Sequence, residues 1–164
     1  MAIIVEDGTN VAGANSYITE AELTTYAAVR GITITGTNSE LLINAMDYLE
    51  GLDYIGTKQF ETQSLQWPRN NVYIDGYYII PTTIPNDLKK GQYETALSID
   101  AGDDPLATID RATKKEKLDV MEVEYKDNSS SKPIISAINT ALRKILKSGA
   151  GSGVGGSQFK VMRG

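Results

Sequence analysis

The sequence predicts a mainly α chain of four helical segments, with a small β-hairpin element and an extended C-terminal tail. Three observations predict it. Apolar residues recur at three- and four-residue steps over separate stretches, the spacing of a buried helical stripe. Between the second and third stretches that period is lost, and Asp75-Gly76 stands between two runs rich in tyrosine and isoleucine, a two-residue hairpin signal. After residue 147 the chain is almost entirely Gly, Ser and Ala before a last alternating run. A length of 164 residues suits one domain with its own core. Residues 1–147 read as a helical domain with β insertions, and 148–164 as a Gly-rich tether and terminal strand.

Ala2–Val5 reads as a short strand, and Glu6–Asn10 as the turn after it. The first helix is strongly signalled. Thr19 can cap it, Glu22 completes a capping box, and Ile18 can staple onto Leu23. Leu23, Tyr26, Ala27 and Arg30 share a face, and Gly31 ends the helix. A Thr/Gly/Asn linker then leads to a second helix, capped by Asn38 or Ser39, whose stripe is Leu42, Ala45, Met46, Leu49 and Leu52.

From Asp53 to Pro81 the reading is loop plus a short hairpin, Asn71–Ile74 with Tyr77–Ile80. In its middle lies Leu65-Gln-Trp-Pro-Arg69, with the only tryptophan of the chain. Trp67, Pro68 and Arg69 are expected to be a structural anchor: an indole is a large apolar group whose N–H wants a partner when buried, and a proline restricts the residue before it.

The third helix starts at Ile84 or Pro85 and runs to about Ala101, where Gly102-Asp103-Asp104-Pro105 stops it. Its face of Leu88, Gly91, Thr95 and Ile99 is weakly apolar, which suggests partial exposure or contact with another chain. Met121, Val123 and Tyr125 alternate with Glu122 and Glu124 as a half-buried strand, paired with 112–118 through Asp119-Val120. Ile134, Ile138, Ala141, Leu142 and Ile145 form the cleanest helical stripe. Arg143, Lys144 and Lys147 suit the negative end of that helix's dipole.

The chain has no cysteine and no histidine, which removes disulfides, thiolate metal sites and the commonest general base. No catalytic, cofactor-binding or metal-binding residue is expected. Gly151–Gly156 satisfies G-x-G-x-x-G, but a helix precedes it and only eight residues follow, the wrong context for a dinucleotide site. Asp103/Asp104 and Glu122/Glu124 have simpler roles, as a helix stop and the wet face of a strand. No apolar run approaches the ~20 residues that span a bilayer, so no membrane partner is expected.

Net charge is −5, unevenly spread: residues 1–110 carry 16 acids against 5 bases, and 111–164 carry 5 acids against 11 bases. For nucleic acid the two requirements fall apart in sequence. The Phe60–Tyr78 region has aromatics able to stack on bases, yet only Arg69 is basic there, against Glu61 and Asp75. The basic C-terminal third has few aromatics beyond Tyr125 and Phe159.

Composition and spacing alone describe a globular domain of mixed class; a family resemblance goes further. Val5-Glu-Asp-Gly-Thr-Asn-Val-Ala-Gly-Ala-Asn-Ser-Tyr17, Met46-Asp-Tyr-Leu49, Leu65-Gln-Trp-Pro-Arg69, Ile84-Pro85, Lys114–Lys117 before Glu122–Tyr125, and the Gly-rich end together resemble a family of small proteins of tailed bacteriophages and prophages. Members carry the label DnaT-like single-stranded-DNA-binding protein, and in phage genomes they look like head–tail connector, or head-completion, proteins. The connector side of the resemblance implies a four-helix adaptor-type bundle. It implies a homo-oligomeric, dodecameric ring in the virion neck, assembled in the host cytoplasm. Its partners would be the portal protein and a tail or second adaptor (stopper) protein, with genomic double-stranded DNA passing weakly bound through the lumen. Gln158, Phe159, Lys160, Val161, Met162 and Arg163 would dock on the portal or a neighbouring subunit by strand addition. The label and the central aromatics support the alternative, a single-stranded-DNA-binding replication protein.

Overall fold

The computed structural model describes residues 2–106, 115–118, 121–124 and 136–147. Its helices are α1 (Glu20–Val29), α2 (Asn38–Glu50), α3 (Asn86–Asp100) and α4 (Ser136–Leu142). Its strands are β1 (Thr57–Lys58), β2 (Arg69–Asn70), β3 (Val72–Ile74), β4 (Tyr77–Ile79), β5 (Lys115–Leu118) and β6 (Met121–Glu124). They pair antiparallel as three separate ribbons, β1–β2, β3–β4 and β5–β6. The terminal segment, with the docking strand expected at Gln158–Arg163, lies outside the described residues.

The architecture is mixed α/β, which corrects the expectation of a mainly α, four-helix adaptor-type bundle. Packing is serial, with α2 on α3 and α3 on α4, while α1 makes a smaller contact with α2. The larger apolar core draws Met46, Leu49, Leu88, Ile138, Leu142 and Ile145 from or beside helices. It draws Ala14, Tyr17, Tyr54, Leu65, Trp67, Val72 and Ile84 from loops and a strand. Loop residues carry no 3.6-residue period, so a reading based on periodicity overweights the helices.

Local chemistry explains why α1 begins and ends where it does. Thr19 Oγ1 accepts the Glu22 N–H at 3.1 Å, and the Glu22 carboxylate accepts the Thr19 N–H at 2.7 Å, a complete capping box. Ile18 and Leu23 are buried in the second apolar core, between α1, α2 and α3. At the far end Gly31 has φ +67, with the Gly31 N–H bonded to Ala28 O and the Ile32 N–H to Ala27 O. That is the Schellman pattern, and its left-handed residue is why a glycine stands there.

The N-terminal run is a loop. Val5 makes only a single parallel bridge, to Ser16. The buried Glu6 carboxylate gathers the N–H groups of Gly8 (2.8 Å), Asn10 (3.0 Å) and Val11 (2.8 Å). Those donors are satisfied by one side chain and need no strand partner.

The α3 face read as weakly apolar is inside the molecule. Leu88, Gly91 and Thr95 are buried. Gly91 lies where a Cβ would collide with the Leu142 side chain of α4, so the small residue marks a close helix crossing. Gln92, also buried, accepts the Tyr17 N–H at 3.0 Å and donates to Ser16 Oγ at 2.8 Å, pinning the N-terminal loop to α3.

Beyond α4 the chain is stitched to the loop after α2. Leu146 bridges Tyr54 antiparallel, the Ile55 N–H bonds Ile145 O at 2.9 Å, and the Lys147 N–H bonds Asp53 O at 2.9 Å. These bonds bring the basic end of α4 to the β3–β4 ribbon.

Candidate nucleic-acid interface

Trp67 is completely buried, and the Trp67–Pro68 peptide is cis. The Trp67 N–H donates to Tyr17 Oη at 3.1 Å, and the Tyr17 hydroxyl donates to Glu50 Oε1 at 3.1 Å. Glu50 Oε1 also accepts the Gln66 N–H at 3.0 Å. Burial raises the Glu50 carboxyl above the ordinary carboxylate range against the opposing pull of the Gln66 N–H. Burial likewise holds the Tyr17 phenol well above its usual value. The expected partner for the indole N–H is not found: among the described residues no acceptor lies within reach. The indole instead meets the Tyr54 ring edge-on, at 6.2 Å between centroids and 78° between planes.

Arg69 is buried too, and its guanidinium serves the backbone. It donates to Ile55 O (2.8 Å), Gly56 O (2.9 Å), Tyr54 O (3.3 Å), Gln66 O (3.2 Å) and Gln66 Oε1 (3.0 Å). With its N–H groups so committed, the one cation of the aromatic stretch cannot reach a phosphate.

The β3–β4 hairpin is built the opposite way. Asp75 (φ +53) and Gly76 (φ +85) take the two left-handed conformations of a type I′ turn. The register pairs Val72 with Ile79, Tyr73 with Tyr78, and Ile74 with Tyr77. Directly opposed residues share a face. Val72 and Ile79, with Ile74 and Tyr77, therefore form the inner face; Val72, Ile74 and Ile79 pack on the larger core, and Tyr77 at the turn end projects beyond it. Tyr73 and Tyr78 form the outer face, 61% and 50% exposed, with ring centroids 5.4 Å apart and planes tilted by 54°. Tyr77, beside the turn, is 76% exposed, and Ile80 and Phe60 are also exposed.

The α4 end supplies the missing cations. Lys144 Nζ lies 2.6 Å from Asp75 Oδ2, at the hairpin turn, and both side chains are substantially exposed. Asp75 raises the ammonium's proton affinity. Arg143 and Lys147 are exposed on either side. The aromatic stretch and the basic segment, separate half-candidates in the sequence, meet at the hairpin turn through this contact. Sequence reasoning missed this because the helix dipole already accounted for Lys144, and no local signal announces a contact across 69 positions.

A second aromatic cluster lies between α1 and α3. The Arg30 guanidinium lies 3.3 Å from the Tyr26 ring centroid, and Tyr93 stacks on Tyr26 at 4.2 Å and 13°. Burial, together with the hydrogen bond to Glu94 at 2.6 Å, pushes the Tyr26 phenol up to about 12. With an arginine and a tyrosine already stacked on it, Tyr26 offers little room for a base.

A protein-family model described as "Putative DnaT-like ssDNA binding protein" matches residues 1–164. No curated protein and no solved structure matches the chain. The family description corrects the expectation of a head–tail connector with a ring in the virion neck and portal, tail or stopper partners, and favours the alternative. An acidic overall balance does not decide against binding a strand, because that contact depends on charges local to the aromatic surface. The match covers the whole chain, and the protein belongs to the DnaT-like single-stranded-DNA-binding family.

Proposed function

We propose that this protein binds single-stranded DNA on the β3–β4 hairpin, with unpaired bases stacking on Tyr73 and Tyr78 and with Tyr77 at the tip. Lys144, Arg143 and Lys147 meet the phosphates. The observation that carries this reading is the contact of Lys144 with the hairpin turn, which brings a cation of the basic segment to the hairpin that carries the exposed tyrosines. Stacking on a side chain needs a base face that is free, as in a single strand. Family membership supports the same reading. The net charge of −5 and the small number of cations call for modest, salt-sensitive affinity.

The test is fluorescence anisotropy of a labelled oligothymidylate against the full chain over a salt series. Binding with a Kd on the order of micromolar at low salt is expected, with a log–log salt slope of roughly −0.7 for each phosphate engaged. A duplex of equal length should bind more weakly. No anisotropy change at low salt, or equal affinity for duplex, would remove the proposal. Trp67 fluorescence is a poor substitute, because the indole is buried away from the surface in question.

A further inference from the structure

We propose that Asp75 is an affinity-setting residue, an internal carboxylate that occupies the Lys144 ammonium and must be displaced before a DNA phosphate can take its place. The inference rests on the single-strand reading above and adds a regulator to it. Lys144 Nζ and Asp75 Oδ2 are 2.6 Å apart, a direct charge-assisted hydrogen bond. Both side chains face solvent, where such a pair is weak and easily exchanged for another anion. The carboxylate is carried on the turn between the tyrosine-bearing strands, one residue pair beyond Tyr73 and Tyr78, so a strand stacked on those rings passes near it.

Two consequences follow from the placement. A phosphate that takes Lys144 leaves Asp75 unpaired beside the DNA, which lowers affinity twice over. The counterions released on binding are those condensed on the DNA, and a bare carboxylate beside the phosphates retains one of them, which flattens the salt dependence. The turn itself does not need the charge. Asp75 has φ +53, and asparagine before glycine is at least as good in a type I′ turn. Asp75→Asn therefore removes the anion and keeps the hairpin. Among the described residues, the other charged groups acting on Lys144 are Asp87 and Arg143, and neither sits on the turn.

The experiment compares wild type, D75N, K144Q and D75N/K144Q in the anisotropy assay, with urea unfolding as a check on folding. E40Q, an exposed acid on α2, controls for net charge. D75N should bind oligothymidylate about threefold tighter at low salt, the scale of one exposed ion pair. Its salt slope should steepen by about 0.7. In the K144Q background the same substitution should give much less, and E40Q should give almost nothing. If wild type binds and D75N binds no better, the inference is wrong and the single-strand reading stands. If the gain survives K144Q in full, or E40Q equals it, bulk charge is responsible and the inference is again wrong. If neither wild type nor D75N binds at low salt, both ideas fall together.

Discussion

Trp67 and Tyr73 stand six residues apart and lead opposite lives. The indole is fully buried, while the phenol is 61% exposed on a strand two turns of chain later. What separates them is where the backbone finds its hydrogen bonds. Around Trp67 the chain is irregular, so its polar groups are satisfied by side chains: the buried Tyr17, the half-buried Glu50 and above all the Arg69 guanidinium, with its donors on the carbonyls of residues 54–56 and 66. Those contacts draw the segment inward. In the β3–β4 ribbon the strands satisfy each other, one face is enough to hold the ribbon to the core, and the other is free to carry tyrosines into solvent. Aromatic content alone does not distinguish a buried anchor from an exposed aromatic face.

The comparison breaks most easily at the anchor. Trp67→Ala should destabilise the fold by about 3–5 kcal/mol, the usual cost of truncating a buried aromatic. Any loss of DNA binding should then track unfolding. A urea midpoint within experimental error of wild type would mean that the ring is not packed as described. Arg69→Met keeps much of the volume but strands several carbonyls. It should cost about 2–4 kcal/mol, since hydrogen bonds from a charged donor are among the stronger ones and buried acceptors left bare carry a penalty. If R69M weakened DNA binding while leaving the unfolding midpoint untouched, Arg69 would be a phosphate ligand and the division drawn here would be mistaken.

The hairpin should respond in reverse. Tyr73→Ala and Tyr78→Ala should each weaken oligothymidylate binding by about 1–3 kcal/mol, the range for loss of one base–aromatic stack. Stability should change by less, about 1 kcal/mol or under, because the rings face solvent and touch chiefly each other. Equilibrium binding and urea unfolding on the same samples separate the two effects. A variant that unfolds yet retains affinity per folded molecule would place these tyrosines with the anchor.

Much of the local structure was legible because it is set by short-range chemistry. The Thr19–Glu22 box, the Gly31 stop, the α2 stripe and the Asp75-Gly76 turn each declare themselves within a few residues. The β5–β6 pairing follows from one two-residue connection, Leu118 opposite Met121. The misreadings concern long-range facts. Gly91 and Thr95 looked like a poor apolar face, when small side chains were what a close crossing with α4 required. Glu6 looked like surface turn chemistry, while in the fold it organises a loop from inside. The candidate site lay half in one stretch and half in another; the bonds from residues 145–147 back to 53–55 hold the basic end of α4 in place, and the Lys144–Asp75 contact joins it to the hairpin.

The smallest expected effect sits beneath the anchor and is seen only by changing pH. Glu50 is half-buried with its carboxyl shifted upward by burial. Between its ordinary value of 4.5 and the raised native value, the folded protein holds more protons on this group than the unfolded chain. Stability from this source is therefore fully present below 4.5 and is lost as pH rises through the native value. Asp7 and Asp100 act with the opposite sign. Hydrogen bonds from Thr9, and from Thr35 and Gly36, lower their carboxyls below 3.8, so their contribution is present above that value and lost on further acidification. Glu50→Gln keeps an oxygen to accept from Tyr17 and Gln66, and at neutral pH it should leave stability within about 1 kcal/mol of wild type. Urea midpoints followed upward from pH 4.5 should show wild type losing ground to E50Q, while below pH 3.8 the two should fall in parallel. Curves parallel throughout would mean that Glu50 titrates as if in water, and that water reaches the Tyr17–Glu50–Gln66 junction beneath the anchor.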